Sequence, residues 1–380
     1  MSPEPRQTFL VSRTDAIGDV VLTLPVCGRL KQLFPGCLVV LIGRTYTAPV
    51  AAACPWVDDF IDFDELQQHS EEYQVAALQV WNASAILHVF PNRKLARLAS
   101  KAGMWRAIGT RSRWFHWFTC NRLVRLSRRN SPYHEAQLNM LLLLPLDLEE
   151  KQVQWKANFK QSLFSWGNSS IAEPNWHPSP PSLAEVAELV RLEAVEPLAP
   201  ALQQLLQQRQ SGQLNVILHP RSRGSAREWG LDHFGQLARQ MHGAGHRVFV
   251  TGTAAEGEEL AAWLTEYAPF LAADLTGQLS LPQFLSFIAA ADGVVAGSTG
   301  PLHLAAALGR HALGLYPPIR PMHPGRWAPL GRYAEYLVFD KPACDDCRTA
   351  PAGCACIRAL SVVSVVARVL AWQPLLLNKA

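Results

Sequence analysis

The segment ADGVVAGSTGPLHLAAALGRHALGLYPP, from Ala291 to Pro318, admits few folds. Gly293 to Gly297 is a short apolar run with two β-branched valines, which suits a buried strand. Ser298-Thr299-Gly300-Pro301 is a turn-prone hinge, and Pro301 to Leu308 reads as a helix with Pro near its first position. Gly309 ends that helix, and Ala312 to Tyr316 supplies a second strand before Pro317-Pro318. A strand, a glycine turn and a helix opening together make an anion site. Unpaired backbone N–H groups and the positive end of the helix dipole converge there. Gly297 and Gly300 leave room for a phosphate to approach the backbone. The segment reads as a diphosphate cradle with His303 one turn into the helix. An ordinary βαβ crossover, its small residues only packing, is the plainer alternative.

A chain of 380 residues exceeds what one core usually serves, so two domains are expected. With 49% apolar and 17% charged residues the composition is that of a folded globular protein. The net charge of +4 is small, so any basic surface must come from clustering. MSPEPRQTFLVSR has no apolar core of signal-peptide length and no uninterrupted membrane span is visible, which predicts a cytoplasmic protein, in the bacterial cytosol, with reduced cysteines. The apolar tail Leu360 to Leu377 is broken by Arg368 and Pro374 and reads as a packed or amphipathic helix.

Strands at Phe9–Ser12, Leu38–Ile42, Phe60–Phe63, 85–90 and 105–108 alternate with helical stretches, which predicts a parallel sheet covered on both faces. Ligands of such sheets sit beyond the carboxyl ends of the strands, where Arg13-Thr14-Asp15-Ala16-Ile17-Gly18-Asp19 falls. Asp19 at a helix mouth is poised to be ionised and is preferred as functional over a plain cap. Between Arg93 and His134 there is no acidic residue, while Arg93, Arg97, Arg122, Arg125, Arg128 and Arg129 are interleaved with Trp105, Trp114, Trp117 and Phe118. This strip can be a solvated basic face, a site for an anionic glycolipid, or a nucleic-acid surface; the glycolipid reading is carried forward, without nucleic acid. His134-Glu135 opens an apolar helix that Pro145 is expected to stop.

Residues 161–212 read as a linker with helices, between a first domain over 1–160 and a second over 213–357. In the second, HPRSRGSAREWG follows a strand, and its three arginines suit a diphosphate because guanidinium forks bind phosphate oxygens bidentately. The loop has no GK[ST] and is not a Walker loop. Glu256, after the strand Arg247–Thr251, is placed to accept from ribose hydroxyls. Cys344, Cys347, Cys354 and Cys356 could hold zinc, but C-x₂-C with C-x-C is not a standard ribbon spacing, and free or redox-labile thiols are preferred.

Taken together, RTDAIGDVVLTLP, HPRSRGSAREWGLDHF and GSTGPLHLAAALG resemble the motifs of glycosyltransferase family nine, the ADP-heptose–lipopolysaccharide heptosyltransferases. The resemblance runs from about residue 9 to 370 and implies an α/β, GT-B-like fold: two Rossmann-like domains with parallel sheets facing across a cleft. A C-terminal helix over 358–380 would pack back toward the first domain. It implies an inverting transfer of heptose from ADP-heptose onto the lipopolysaccharide core; the basic, aromatic strip adds the expectation of an anionic glycolipid acceptor and peripheral contact with the inner membrane, and a monomer is expected. No metal and no cofactor take part. Asp19 would be the general base, and Arg221, Ser222, Arg227, Ser298, Thr299, Gly300 and His303 would hold the donor, with Glu256 on its ribose. Arg13, Arg93, Arg97 and Arg122 would meet the acceptor. Two positions depart from the pattern: Ser298 stands where the family usually has Asp, and Arg227 where it commonly has Lys. Another nucleotide sugar, or a non-catalytic binding protein, are the alternatives. Asp62-Phe63-Asp64, a metal-type Asp-x-Asp, lies outside the donor loops and is read as incidental.

Overall fold

The computed structural model describes residues 6–126, 128, 131–147, 180–320, 322–342, 344–348 and 354–375. Twelve strands form two six-stranded sheets, every recorded pairing parallel. The first contains β1 (Thr8–Ser12), β2 (Leu38–Gly43), β3 (Asp59–Asp62), β4 (Ala85–His88), β5 (Ala107–Thr110) and β6 (Arg122–Val124) in the order β3-β2-β1-β4-β5-β6. The second contains β7 (Asn215–His219), β8 (Arg247–Val250), β9 (Ala273–Asp274), β10 (Gly293–Gly297), β11 (His311–Tyr316) and β12 (Ala334–Val338) in the order β12-β11-β10-β7-β8-β9. The central strands are continuous apolar runs because helices cover both faces. The expected pair of Rossmann-like halves is therefore present. β6, β9 and β12 were not read from sequence. They are edge strands, short or half-buried, whose polar residues hide the pattern.

Both halves follow one winding scheme, so each reverses strand order at a single place: β1/β4 in the first and β7/β10 in the second. Ligands of doubly wound sheets bind in that crevice. Ser12 pairs with His88 at the end of β1 and Ala296 with His219 at the end of β10. The loops that leave those ends carry the Asp15/Asp19 pair, the arginine loop and the glycine turn.

The chain crosses between the halves after the helix Leu183–Leu189, which packs on Leu24–Leu33 and Glu135–Met140 of the first. The next helix, Pro200–Gln207, packs on Leu281–Ala290 of the second. Residues 148–179, which include the first part of the expected linker, lie outside the described residues. Pro145 does not end a helix. It sits in the first turn of a helical segment that begins at Leu144, where its missing N–H costs nothing.

The C-terminal helix Val362–Leu370 corrects one expectation. It packs against Leu231–Gly243 of the second half rather than back toward the first. Trp229 donates its indole N–H to Leu360 O at 2.8 Å, and Trp372 stacks on His311 at 4.9 Å. Among the described residues no helix is long and apolar enough to cross a membrane.

Candidate active site at the meeting of two loops

Thr299 is the N-cap of the helix Gly300–Ala307, with extended backbone and no side-chain cap. Its own N–H goes to Gly297 O at 2.8 Å, so the first-turn N–H groups left without a backbone acceptor are those of Gly300 and Leu302, Pro301 having none. Ser298 bonds its hydroxyl to buried Tyr316, whose phenol in turn donates to Trp327 O. His303 is buried, and its Nδ1 has no partner. Burial, with help from nearby His134, pulls its pKa down to about 3, so the ring is neutral.

The arginine loop is held by a residue that sequence reading missed. Glu228 accepts from Ser222 N and Oγ, both at 3.0 Å, and from Arg221 Nη1 at 3.0 Å. Arg221 is shared with Glu259 at 3.1 Å, while its buried Nε lacks a partner. Arg223 and Gly224 both take positive φ, which lets the loop fold on itself. Arg227 is buried and turned away from the loop's mouth: Nε reaches Cys347 Sγ at 3.3 Å and Nη2 reaches Cys347 O at 3.0 Å. Glu256 is also engaged, its Oε2 accepting from Thr253 N and Oγ1 in a capping box. His219 lies beside it, burial lowering its pKa to about 4.

In the first half, Asp19 sits in the first turn of Ile17–Val21 and pairs with Arg13. The helix dipole was expected to favour its charged form, but burial is the larger influence and raises its pKa. Arg13 opposes that rise, and Asp15 and Glu135 add to it. Arg13 is 3% exposed, with Asp15 and Glu135 each at 3.4 Å and Phe90 under its guanidinium. It acts as Asp19's partner in the interior, not as an exposed acceptor contact. Glu135 also receives Arg128 at 2.9 Å and Arg326 at 2.8 Å. Arg326 comes from the second half, and its Nη1 also donates to Arg128 O at 2.7 Å. His134 adds Nε2–H to Ala328 O at 3.0 Å.

The two loops touch. A Cβ on Gly18 would lie 2.9 Å from His303 Cδ2, and one on Gly300 would lie 3.1 Å from Ile17 Cβ. Both glycines are thus needed for close approach, and Asp19 is brought to the mouth of the Gly300–Ala307 helix.

Arg93 and Arg97 are exposed on the helix Arg93–Lys101, Arg93 lying 4.8 Å over the Trp114 ring. Arg122 is half-buried on β6. Trp105, Trp114, Trp117 and Phe118 are exposed at 58–80%. Arg128 leaves this strip for the interior, and Arg129 lies outside the described residues. Asp62 and Asp64 are accounted for structurally: Asp62 caps Phe63–Leu66, and Arg44 holds Asp64 at 2.9 Å.

Residues 188–354 match glycosyltransferase family 9 (heptosyltransferase). A Haemophilus influenzae protein described as a glycosyltransferase is 24% identical over 347 residues, covering 89% of this chain and 90% of its own. Lipopolysaccharide heptosyltransferase 2 of Salmonella typhimurium is 34% identical over 101 residues, 26% of this chain and 29% of that protein. The fold is that of the Escherichia coli ADP-heptose lps heptosyltransferase II structure, with TM-score 0.67, 17% identity, and coverage of 96% and 97%. It is also that of a family 9 glycosyl transferase from Veillonella parvula, with TM-score 0.73, 15% identity, and coverage of 97% and 99%.

Proposed function

We propose that this glycosyltransferase, with its family 9 domain over residues 188–354, transfers heptose from ADP-heptose to a sugar hydroxyl of a lipopolysaccharide-core acceptor with inversion. The observation that carries the reading is the contact of Gly18 with His303 and of Gly300 with Ile17. It brings the short helix that carries Asp19 against the opening of the Gly300–Ala307 helix, a diphosphate-type cradle. In the reaction Asp19 takes the proton of the acceptor hydroxyl as its oxygen bonds to the anomeric carbon. The bond from that carbon to the diphosphate breaks, and ADP leaves. Direct displacement of this kind inverts the centre in one step. Charge growing on the leaving diphosphate meets the Gly300 and Leu302 N–H groups, the helix dipole and the Arg221 loop, so the scheme needs no metal. His303, neutral and with a free Nδ1, can donate or accept towards donor oxygens according to its tautomer.

Calorimetry with ADP, UDP, GDP and CDP tests the donor. ADP should bind at least about tenfold more tightly than the others, a difference of roughly 1.4 kcal/mol. A preference for UDP or GDP keeps the transferase and discards heptose, a result that Ser298 in place of the usual carboxylate would then explain. Binding of none of the four removes the reading.

The acceptor in this reading approaches over Arg93, Arg97 and Arg122, with Trp114, Trp117 and Phe118 resting at the membrane interface. Replacing these three aromatics by Ser should weaken binding to vesicles containing anionic lipid by on the order of tenfold. Equal sedimentation of the variant and parent with such vesicles would refute membrane contact through this face.

A further inference from the structure

The ion pairs behind Asp19 reach across to the second half. Asp19 pairs with Arg13, and Arg13 Nη1 lies 3.4 Å from Glu135 Oε1. Glu135 Oε2 then accepts from Arg326 Nη2 at 2.8 Å and from Arg326 Nε at 3.2 Å. Arg13 and Glu135 are buried, so water does little to screen these charges. With Asp15 and Arg128 added, three carboxylates face three guanidinium groups, and the second half supplies one of the three cations. Take Arg326 away and two cations face three anions, with Asp19 and Glu135 competing for Arg13.

Both halves hold Arg326 in place. It lies on the short helix Pro324–Trp327, which follows β11. Tyr316 donates its hydroxyl to Trp327 O, and His134 of the first half reaches Ala328 O at 3.0 Å. Arg326 Nη1 donates to Arg128 O at 2.7 Å, which opens a second route to Asp19. Arg128 Nη2 donates to Asn139 Oδ1 at 2.8 Å, and Asn139 Nδ2 donates to Leu22 O at 3.0 Å and to the Thr23 hydroxyl at 3.4 Å. Thr23 in turn donates to Asp19 O at 2.8 Å. The carboxylate and the backbone of Asp19 are thus both linked to one residue of the opposite half.

We propose that Arg326 is a positioning residue for the transfer: it occupies Glu135, and so leaves Arg13 to hold the Asp19 carboxylate. The inference rests on Asp19 as the base. The half that brings the diphosphate-type cradle thereby also completes the charge balance behind that base. Burial is the largest influence on Asp19 and raises its pKa, Arg13 opposes the rise, and Asp15 and Glu135 add to it. The other titratable neighbours are uncharged: burial holds the Tyr46 phenol neutral, and His303, on the helix packed against Ile17–Val21, is neutral too. A Glu135 without Arg326 draws on Arg13 and repels a charge on Asp19, so both effects push the same way, toward a protonated base.

The test follows Asp19 directly, by NMR of the full chain with isotope-labelled aspartate carboxyls, its resonance assigned by its loss in Asp19→Asn. In Arg326→Gln the Asp19 titration should move up by about one pH unit. The acid limb of transfer from ADP-heptose to a lipopolysaccharide-core acceptor should move with it, a rate loss of about tenfold on that limb. Arg326→Lys, which keeps the charge, should restore most of both. In a Glu135→Gln background Arg326→Gln should have no further effect, because the group it acts through is gone. Arg326→Met, whose stem can still rest on the Trp327 ring, replaces the Gln variant if that chain folds poorly. An unmoved Asp19 titration overturns the proposal whatever residue is the base. A titration that moves while the acid limb stays put overturns it by removing Asp19 as the base, so the two failures are told apart.

Discussion

Asp19→Asn is expected to lower kcat by about 10²–10⁴-fold, the contribution usual for a general base, while leaving ADP affinity unchanged. Asn preserves the volume and can still accept from Arg13, so the loss isolates proton transfer. The acid limb of the rate profile should carry the same signature. Burial raises the Asp19 pKa, and only the ionised form is a base, so activity falls as pH drops through a value above the ordinary aspartate range. Arg13 opposes that rise, hence Arg13→Ala should move the limb to higher pH. Glu135 adds to the rise, hence Glu135→Gln should move it lower. Steady-state rates between pH 4 and 8 check all three. An Asn variant with parental kcat would assign the base to another residue.

Glu135→Ala is expected to destabilise the protein by about 3–5 kcal/mol, because it leaves three guanidinium groups in the interior without their common carboxylate. Glu135 is 1% exposed and bonds Arg13, Arg128 and Arg326, the last across the junction between the halves. Burial pushes its pKa up, but the three arginines outweigh burial and hold it below the usual range. A depressed carboxyl contributes stability that is present above its unfolded pKa and lost as pH falls through the folded one. The gap in urea midpoint between parent and variant should therefore close as the buffer is made strongly acid. Arg326→Ala should cost less, since two cations remain on Glu135. A Glu135→Ala loss below about 1 kcal/mol would show that water reaches and screens the cluster.

Much of this architecture is written locally. The strand, turn and helix of 293–308 depend on Gly297, Gly300, Pro301 and Gly309, whose conformational limits act within a few residues, and the structure follows them nearly to the residue. The parallel sheets were legible because fully buried strands are unbroken apolar runs. What stayed hidden rests on separation along the chain. Glu135 meets Arg326 from 191 positions away, and nothing near either residue marks the other. Arg128 belongs by sequence to an exposed basic strip, yet Glu135 and Asn139 draw it inside. Arg227 likewise reads as a phosphate ligand until Cys347, 120 positions later, is seen to hold it. Glu228 was passed over because its carboxylate binds its own loop, a role that looks like an ordinary acidic residue in sequence.

The glycines at 18 and 300 also bear on how such a chain can change. Each lies against a side chain of the opposite half, His303 and Ile17 respectively, so neither half has its own independent contour at the cleft. A methyl group added on one side has to be matched by a retreat on the other. The two sheets look like interchangeable modules, but they meet as a fitted pair. Grafting a foreign second half onto this first half transfers its loops without the countersurface they were shaped against. New donor preference is therefore more accessible through changes behind the seam, around Ser298 and Tyr316, than through exchange of a whole half.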